Sequence, residues 1–195
     1  MVVLASGSPR RRELLERIGY QLVVDAADVD ESPISGETPG DYVLRLATRK
    51  AEVVAARHPG QVVLGADTTV TVDDQILGKA ADADQARAML ARLFGREHQV
   101  LTGFAAVGGG QTVTGLATTA VVMRQPAAVE VAGYLASGEW QGKAGAYAVQ
   151  GMAAAFVTEV RGSITSVIGL PLAEAVEAIK RVGGPAPDMS RGQPA

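Results

Sequence analysis

Leu4-Ala5-Ser6-Gly7-Ser8-Pro9-Arg10-Arg11-Arg12-Glu13-Leu14-Leu15 reads as a strand that passes through a glycine turn into a helix with a cationic first turn. Val2-Val3-Leu4 suits a buried strand, Gly7 lets backbone approach a ligand, Ser8 is a good N-cap, and Pro9 fits the first helical position. Free amides and the positive end of the helix dipole then point at whatever binds there, and Arg10, Arg11 and Arg12 add full charges. A phosphate-bearing ligand is the natural occupant. The competing reading is a solvated basic cluster. Two features weigh against it: cations in a first turn oppose the dipole unless an anion offsets them, and the run follows a buried strand rather than a polar loop.

Working outward, 195 residues suit one core, so residues 1–182 are expected to form a single domain and 183–195, rich in proline and glycine, a disordered tail. A net charge of −3 argues against a nucleic acid polymer as partner, so local basic clusters serve small anions. The absence of cysteine excludes disulfides, thiolate catalysis and cysteine-held metals. His58 and His98 offer no metal-ligand spacing and no triad. No apolar run suits a signal peptide or a membrane span, and a cytoplasmic location fits best.

Gly19 ends the first helix, Gln21–Val24 forms a second strand, and Thr38-Pro39 opens a helix reaching about Arg57. Within that helix Lys50 has apolar neighbours at all four i±3 and i±4 positions, Leu46, Ala47, Val53 and Val54. It either faces inward to a cleft or lies on the helix boundary and snorkels out. Gln61–Val72 reads as a long central strand with Asp67 on its smaller face, next to Thr68. A carboxylate inside a strand needs a metal, a cation or a set of donors, in a functional site or in a structural ion pair. Beyond it, Asp73-Asp74 make a turn, Asp82 or Asp84 starts a helix closed by Gly95, and Glu97–Val107 pairs with Thr112–Arg124 through a triple-glycine hairpin. Pro126–Ser137 and Gly169–Val182 complete the helices, and Ala154–Val160 and Ser163–Ile168 supply further strands. Neither GxGxxG nor GxxxxGK[ST] occurs, so neither a Rossmann dinucleotide site nor a P-loop is supported.

Gly142-Lys143-Ala144-Gly145-Ala146-Tyr147-Ala148-Val149-Gln150-Gly151 forms a loop able to lie against a ligand, or a plain turn. The Gln150 carboxamide carries an acceptor and donors, matching the edge of uracil or thymine.

These segments, with Asp30-Glu31, Arg45-Leu46-Ala47, Gly65-Ala66-Asp67-Thr68, Gly78-Lys79 and Gly169-Leu170-Pro171-Leu172, resemble the Maf family of nucleoside triphosphate pyrophosphatases in order along the chain. The segment around Lys143 and Gln150 is similar to the dTTP/UTP branch rather than the 7-methyl-GTP branch. The resemblance implies an α/β fold of Maf/ITPase-like type: an elongated mixed β-sheet with flanking helices, in two lobes around a central cleft. It implies a divalent cation, Mg²⁺ or Mn²⁺, and a homodimer. It also implies cleavage of a nucleoside triphosphate between the α- and β-phosphates, a house-cleaning activity linked in some members to septum-formation arrest. Asp67 matches the proposed proton acceptor; Arg10, Thr68 and Gln150 fall where substrate choice is set; Ser8, Arg11, Glu31, Lys50 and Lys79 match other positions needed for activity.

In the mechanism so implied, Glu31 and Asp67 hold the ion, Asp67 also takes the proton of the attacking water, and Arg11, Lys50 and Lys79 surround the phosphates. Two carboxylates leave the division between base and metal ligand open. Ala80 stands where the family usually has proline, and Arg161-Gly162-Ser163-Ile164-Thr165 is less typical. The rival readings are an enzyme for methylated guanine or other purine nucleotides and a non-catalytic nucleotide sensor regulating division.

Overall fold

In the computed structural model, which describes residues 1–191, Val2-Val3-Leu4 form a fully buried strand β1 flanked by β2 (Leu22–Val24) and β3 (Val63–Val72). Both neighbours are parallel to β1. The crossovers this requires are helices α1 (Pro9–Arg17) and α2 (Pro39–Arg57). Beyond β3 the sheet turns antiparallel, through β4 (Gln75–Leu77), β5 (Glu97–Gly108), β6 (Gln111–Met123) and β7 (Val157–Arg161). The order is β2-β1-β3-β5-β6-β7, with β4 on β3, a mixed seven-stranded sheet. Helices α3 (Ala83–Leu93), α4 (Ala128–Ala136), α5 (Ile164–Ile168) and α6 (Leu172–Arg181) complete the α/β fold.

The smaller face of β3 is small because α2 lies on it. A Cβ on Gly65 would stand 2.4 Å from the Ala47 carbonyl oxygen, and one on Gly103 of β5 would stand 2.6 Å from that of Val43. Only glycine allows that approach. It brings Lys50 of α2 over the strand at Asp67.

The core divides along β3. Leu64 and Ala66 pack with Val2, Leu4, Phe104 and Ile179 of α6, whereas Val70 and Val72 pack with Leu90, Phe94, Tyr134, Trp140 and Phe156. Asp67 and Thr68 sit between the two clusters, so the lobes meet where the strand carries its polar residues.

Two expectations need correction. Ser163–Ile168 is not a strand but the short helix α5, because Gly162 (φ +127°) turns the chain and the Ser163 hydroxyl caps the Ser166 N–H at 3.2 Å. Its β-branched residues made it read as extended. Ala154–Val160 is a strand only from Val157; Met152–Phe156 is a 3₁₀ turn that inserts Phe156 edge-on against Phe94 and Tyr134. Of the segment 183–195 expected to be disordered, 192–195 lie outside the described residues. Up to Arg191 the chain returns over α1, where the Pro185 carbonyl accepts from Tyr20 at 3.1 Å. No helix among the described residues is long and apolar enough to cross a membrane.

Candidate active site

Between the lobes lies a cleft of about 380 Å³, whose lining includes Ser8, Arg10, Arg11, Glu31, Lys50, Asp67, Thr68, Lys79 and Gln150. The structure thus brings all nine residues singled out from the sequence to one place.

The arginine run divides by helix geometry. Arg11 points inward, donating from Nε to the Gly169 carbonyl (2.8 Å), from Nη1 to Ser6 Oγ (2.9 Å) and from Nη2 to Thr68 Oγ1 (3.1 Å). Thr68 is held in turn by Thr102 at 2.9 Å, whose hydroxyl donates to the Ser166 carbonyl at 2.8 Å. Burial lowers the Arg11 pKa from its ordinary value against the opposing pull of Asp67, and nearby Arg10 adds to the lowering. Arg10 is half-buried and donates to the Ile168 carbonyl at 3.3 Å; Arg12 faces solvent with Glu16. Ser8 occupies the N-cap position, but its side chain makes no cap bond and instead its N–H donates to Ser6 Oγ at 3.3 Å. That is a correction to its expected role as a side-chain cap.

Lys50 points inward: only 7% exposed, it places Nζ 2.7 Å from Asp67 Oδ1 and 2.5 Å from Glu31 Oε1. Asp67 is 9% exposed, so this ion pair lies at the cleft floor. Glu31 arrives on an irregular loop strapped to α2: the Tyr42 hydroxyl donates to the Glu31 carbonyl (3.0 Å), and Arg45 clamps Glu37 and the Ser32 carbonyl. Burial pushes the Glu31 carboxyl up, but the bond from Lys50 and the charges of Lys50, Lys79 and Arg11 outweigh it and hold the pKa below the usual range. No group of three His, Cys, Asp or Glu with metal-holding geometry occurs among the described residues. Two carboxylates with no third protein ligand still fit Mg²⁺ or Mn²⁺ well: such ions keep several waters and take phosphate oxygens as ligands.

Lys79 reaches the opposite wall. It pairs with Ala144 in an antiparallel bridge, while the Gly145 N–H donates to the Leu77 and Gly78 carbonyls (3.1 and 3.0 Å). The turn that carries Ala80 is therefore tied down across the cleft.

The profile of the Maf-like protein family matches residues 1–182. The chain belongs to the Maf family. It is 50% identical over 187 residues to a Myxococcus xanthus protein named dTTP/UTP pyrophosphatase, covering 96% of this chain and 95% of that one. Proteins of the same name from Symbiobacterium thermophilum (45%, covering 94% and 95%) and Caulobacter vibrioides (48%, covering 93% and 95%) are similar throughout. The solved Staphylococcus aureus Ham1 protein aligns over 63% of this chain and 71% of its own, with 19% identity and a TM-score of 0.44.

Sequence reasoning left Lys143 out of the site of this Maf protein. Its side chain lines the cleft, and its amine donates to the Glu139 carbonyl. Burial, and then the charge of Arg10, lower its pKa. Its place in the glycine segment was the available signal. Ser6 and Tyr147 were also missed as lining residues. With Lys143 the lining carries five cations, Arg10, Arg11, Lys50, Lys79 and Lys143, against Glu31 and Asp67, an excess of positive charge in a chain of net charge −3. Of the histidines, His58 pairs with Asp25 at 2.8 Å, away from the cleft, and His98 is buried beneath it.

Proposed function

We propose that this Maf protein hydrolyses nucleoside 5′-triphosphates, dTTP and UTP foremost, to the monophosphate and pyrophosphate. The observation that carries the reading is the Glu31–Lys50–Asp67 ion triad at the floor of a cleft whose remaining charges are all positive. A triphosphate supplies the negative charge that such a cleft lacks, beside a helix start suited to it. The names of the relatives support the pyrimidine preference.

Arg11 and Lys79 would grip the β- and γ-phosphates, and Arg10 and Lys143 the polyanion from either side. Asp67 would accept a proton from water as its oxygen forms a bond to the α-phosphorus; the bond from that phosphorus to the bridging oxygen breaks, and pyrophosphate leaves with the electron pair. Lys50, already on Asp67, holds that carboxylate in place, and on Glu31 it holds the second acidic group nearby. Glu31 and Asp67 would hold Mg²⁺ or Mn²⁺, which supplies further neutralisation of the phosphates when bound. Thr68 fixes Arg11, and Gln150, exposed at the rim, would meet the base edge. The reading extends to a cytoplasmic homodimer acting on free nucleotides rather than polymers, supported by family membership and the acidic net charge.

The test is pyrophosphate release across UTP, dTTP, CTP, GTP and 7-methyl-GTP, with EDTA and with Mg²⁺ or Mn²⁺ restored. UTP and dTTP should lead, with activity lost to EDTA and regained with either ion. Turnover confined to the guanine nucleotides would support the purine reading, and binding without turnover a sensor.

A further inference from the structure

His98 is buried, titratable and unused by the mechanism. It sits on β5 at 3% exposure, opposite Val121 of β6 in the sheet register. Its Nε2 lies 2.8 Å from the Tyr147 hydroxyl, and the two rings meet edge to face with centroids 5.4 Å apart. Its Nδ1 is buried with no hydrogen-bond partner. The hydrogen bond between Nε2 and the phenol oxygen therefore holds the ring, and the tautomer sets which of the two donates. Burial, aided by the charge of Arg96, keeps the ring neutral, with a pKa of about 4. A neutral imidazole so placed is no acid or base for the reaction; it is a fixed hydrogen-bond partner.

What it fixes is the wall of the cleft. Tyr147 lines the cavity between Lys143 and Gln150 in sequence. The preceding Ala146 has φ +60°, a left-handed conformation unusual for a residue other than glycine, which persists only where surroundings enforce it. Two buried hydroxyl bonds do so: Tyr134 donates to the Ala146 carbonyl at 3.0 Å, and Tyr147 is held by His98.

We propose that His98 is a positioning residue for base recognition: by holding the Tyr147 hydroxyl it sets the Gly142–Gly151 segment, and with it Lys143 and Gln150, at the height a pyrimidine requires. This rests on the nucleotide reading above. It separates from the chemistry, because His98 touches neither Asp67 nor Lys50 and the segment carries no group assigned to proton transfer.

The experiment uses the full chain with His98→Leu, His98→Gln, Tyr147→Phe and the Leu/Phe double variant. Kinetics on UTP, dTTP, CTP and GTP are read beside amide hydrogen exchange over residues 142–151. His98→Leu is expected to raise KM for UTP about tenfold, the scale of one lost hydrogen bond, and to narrow the preference over GTP, with kcat within about threefold. Tyr147→Phe, which keeps both rings, should do the same even if His98→Leu folds poorly. The double variant should be no worse than either single change, and His98→Gln, whose carboxamide can donate to the phenol oxygen or accept from it, should recover much of the loss. Unchanged KM and base ranking in Tyr147→Phe and His98→Leu, with only a lower melting temperature, would overturn the proposal, as would fully additive losses. A wild-type protein that released no pyrophosphate would sink the nucleotide reading instead. Exchange then decides the positioning claim alone: wild-type rates over 142–151 in both single variants refute it, and faster rates sustain it.

Discussion

On one side of the cleft Arg11, Lys50 and Asp67 project from α1, α2 and β3, and each is held by charged or charge-assisted bonds at 2.5 to 3.1 Å. On the other side Lys143, Tyr147 and Gln150 ride an irregular segment whose bonds, the Lys143 amine on the Glu139 carbonyl apart, are neutral: His98 to Tyr147, Tyr134 to Ala146, and the Gly145 amide to the end of β4. Regular elements locked by ion pairs place groups to within fractions of an ångström, which proton transfer and phosphate gripping need. An irregular segment held by neutral bonds can change its outline without disturbing them, which suits discrimination among bases. The proposed function thus places rate on the first wall and choice on the second, and substitutions on the two should separate accordingly.

The largest effect is expected on the charged wall. Asp67→Asn preserves shape but removes the charge paired with Lys50, and turnover should fall by about 10²- to 10⁴-fold, the range for loss of a general base. KM for UTP should move far less. Steady-state kinetics decide it, and near-normal pyrophosphate release would remove Asp67 from the chemistry.

The charged wall was also the more legible from sequence. Lys50 announces itself by four apolar neighbours in a helical register, Asp67 by standing inside a strand, and the arginines by following a buried strand through Gly7. Each signal is local, spanning a few residues. The neutral wall depends on partners far apart in the chain, His98 with Tyr147 and Tyr134 with Ala146, and nothing at either end of such a bond marks it as a bond. Ser163–Ile168 failed for a related reason: its β-branched residues favour a strand, and the helix follows from Gly162, the Ser163 cap and the Ser166 contacts with Thr102 and Thr119. How close α2 comes to β3 was equally hidden, since Gly65 and Gly103 show their purpose only against the helix backbone.

The neutral wall should show its weakness in acid. Above the ordinary histidine value of 6.5 His98 is neutral both folded and unfolded, and contributes no pH dependence. Between 6.5 and about 4 the unfolded chain binds a proton that the folded one refuses, so stability falls as pH falls. The loss from this group should approach about 3 kcal/mol near pH 4. Urea unfolding of wild type and His98→Leu at pH 7 and pH 4.5 measures it: the acid loss should be smaller in the variant, whatever their difference at pH 7. Equal acid losses would mean that His98 takes up its proton without leaving its site.

A smaller change is expected for Gln150→Glu, which replaces the donor of the carboxamide with a second acceptor. At an exposed rim position it should alter the ratio of kcat/KM between UTP and CTP by about tenfold, with kcat on the better substrate within about threefold. A ranking left intact across the four common bases would move base reading elsewhere on the same segment.

The smallest effect, and the sharpest check on the comparison, is Arg12→Ala. Arg10, Arg11 and Arg12 are adjacent in sequence and equal in charge, but 100° of helical rotation per residue carries Arg12 away from the cleft, where it bridges Glu16 at 2.8 Å with its side chain 58% exposed. An exposed i,i+4 pair contributes about 0.3–0.5 kcal/mol, and in the first turn of α1 a cation also opposes the helix dipole, so even that gain is partly cancelled. Removing Arg12 should therefore leave stability within about 0.5 kcal/mol and pyrophosphate release within about twofold, whereas Arg11→Ala, by freeing Thr68 and the Gly169 carbonyl and removing the cation proposed to grip phosphate, should lower both. If Arg12→Ala lost activity as Arg11→Ala does, substrate would be reading the field of the whole cationic turn rather than individual groups, and the division of labour between the two walls would reduce to a difference in net charge.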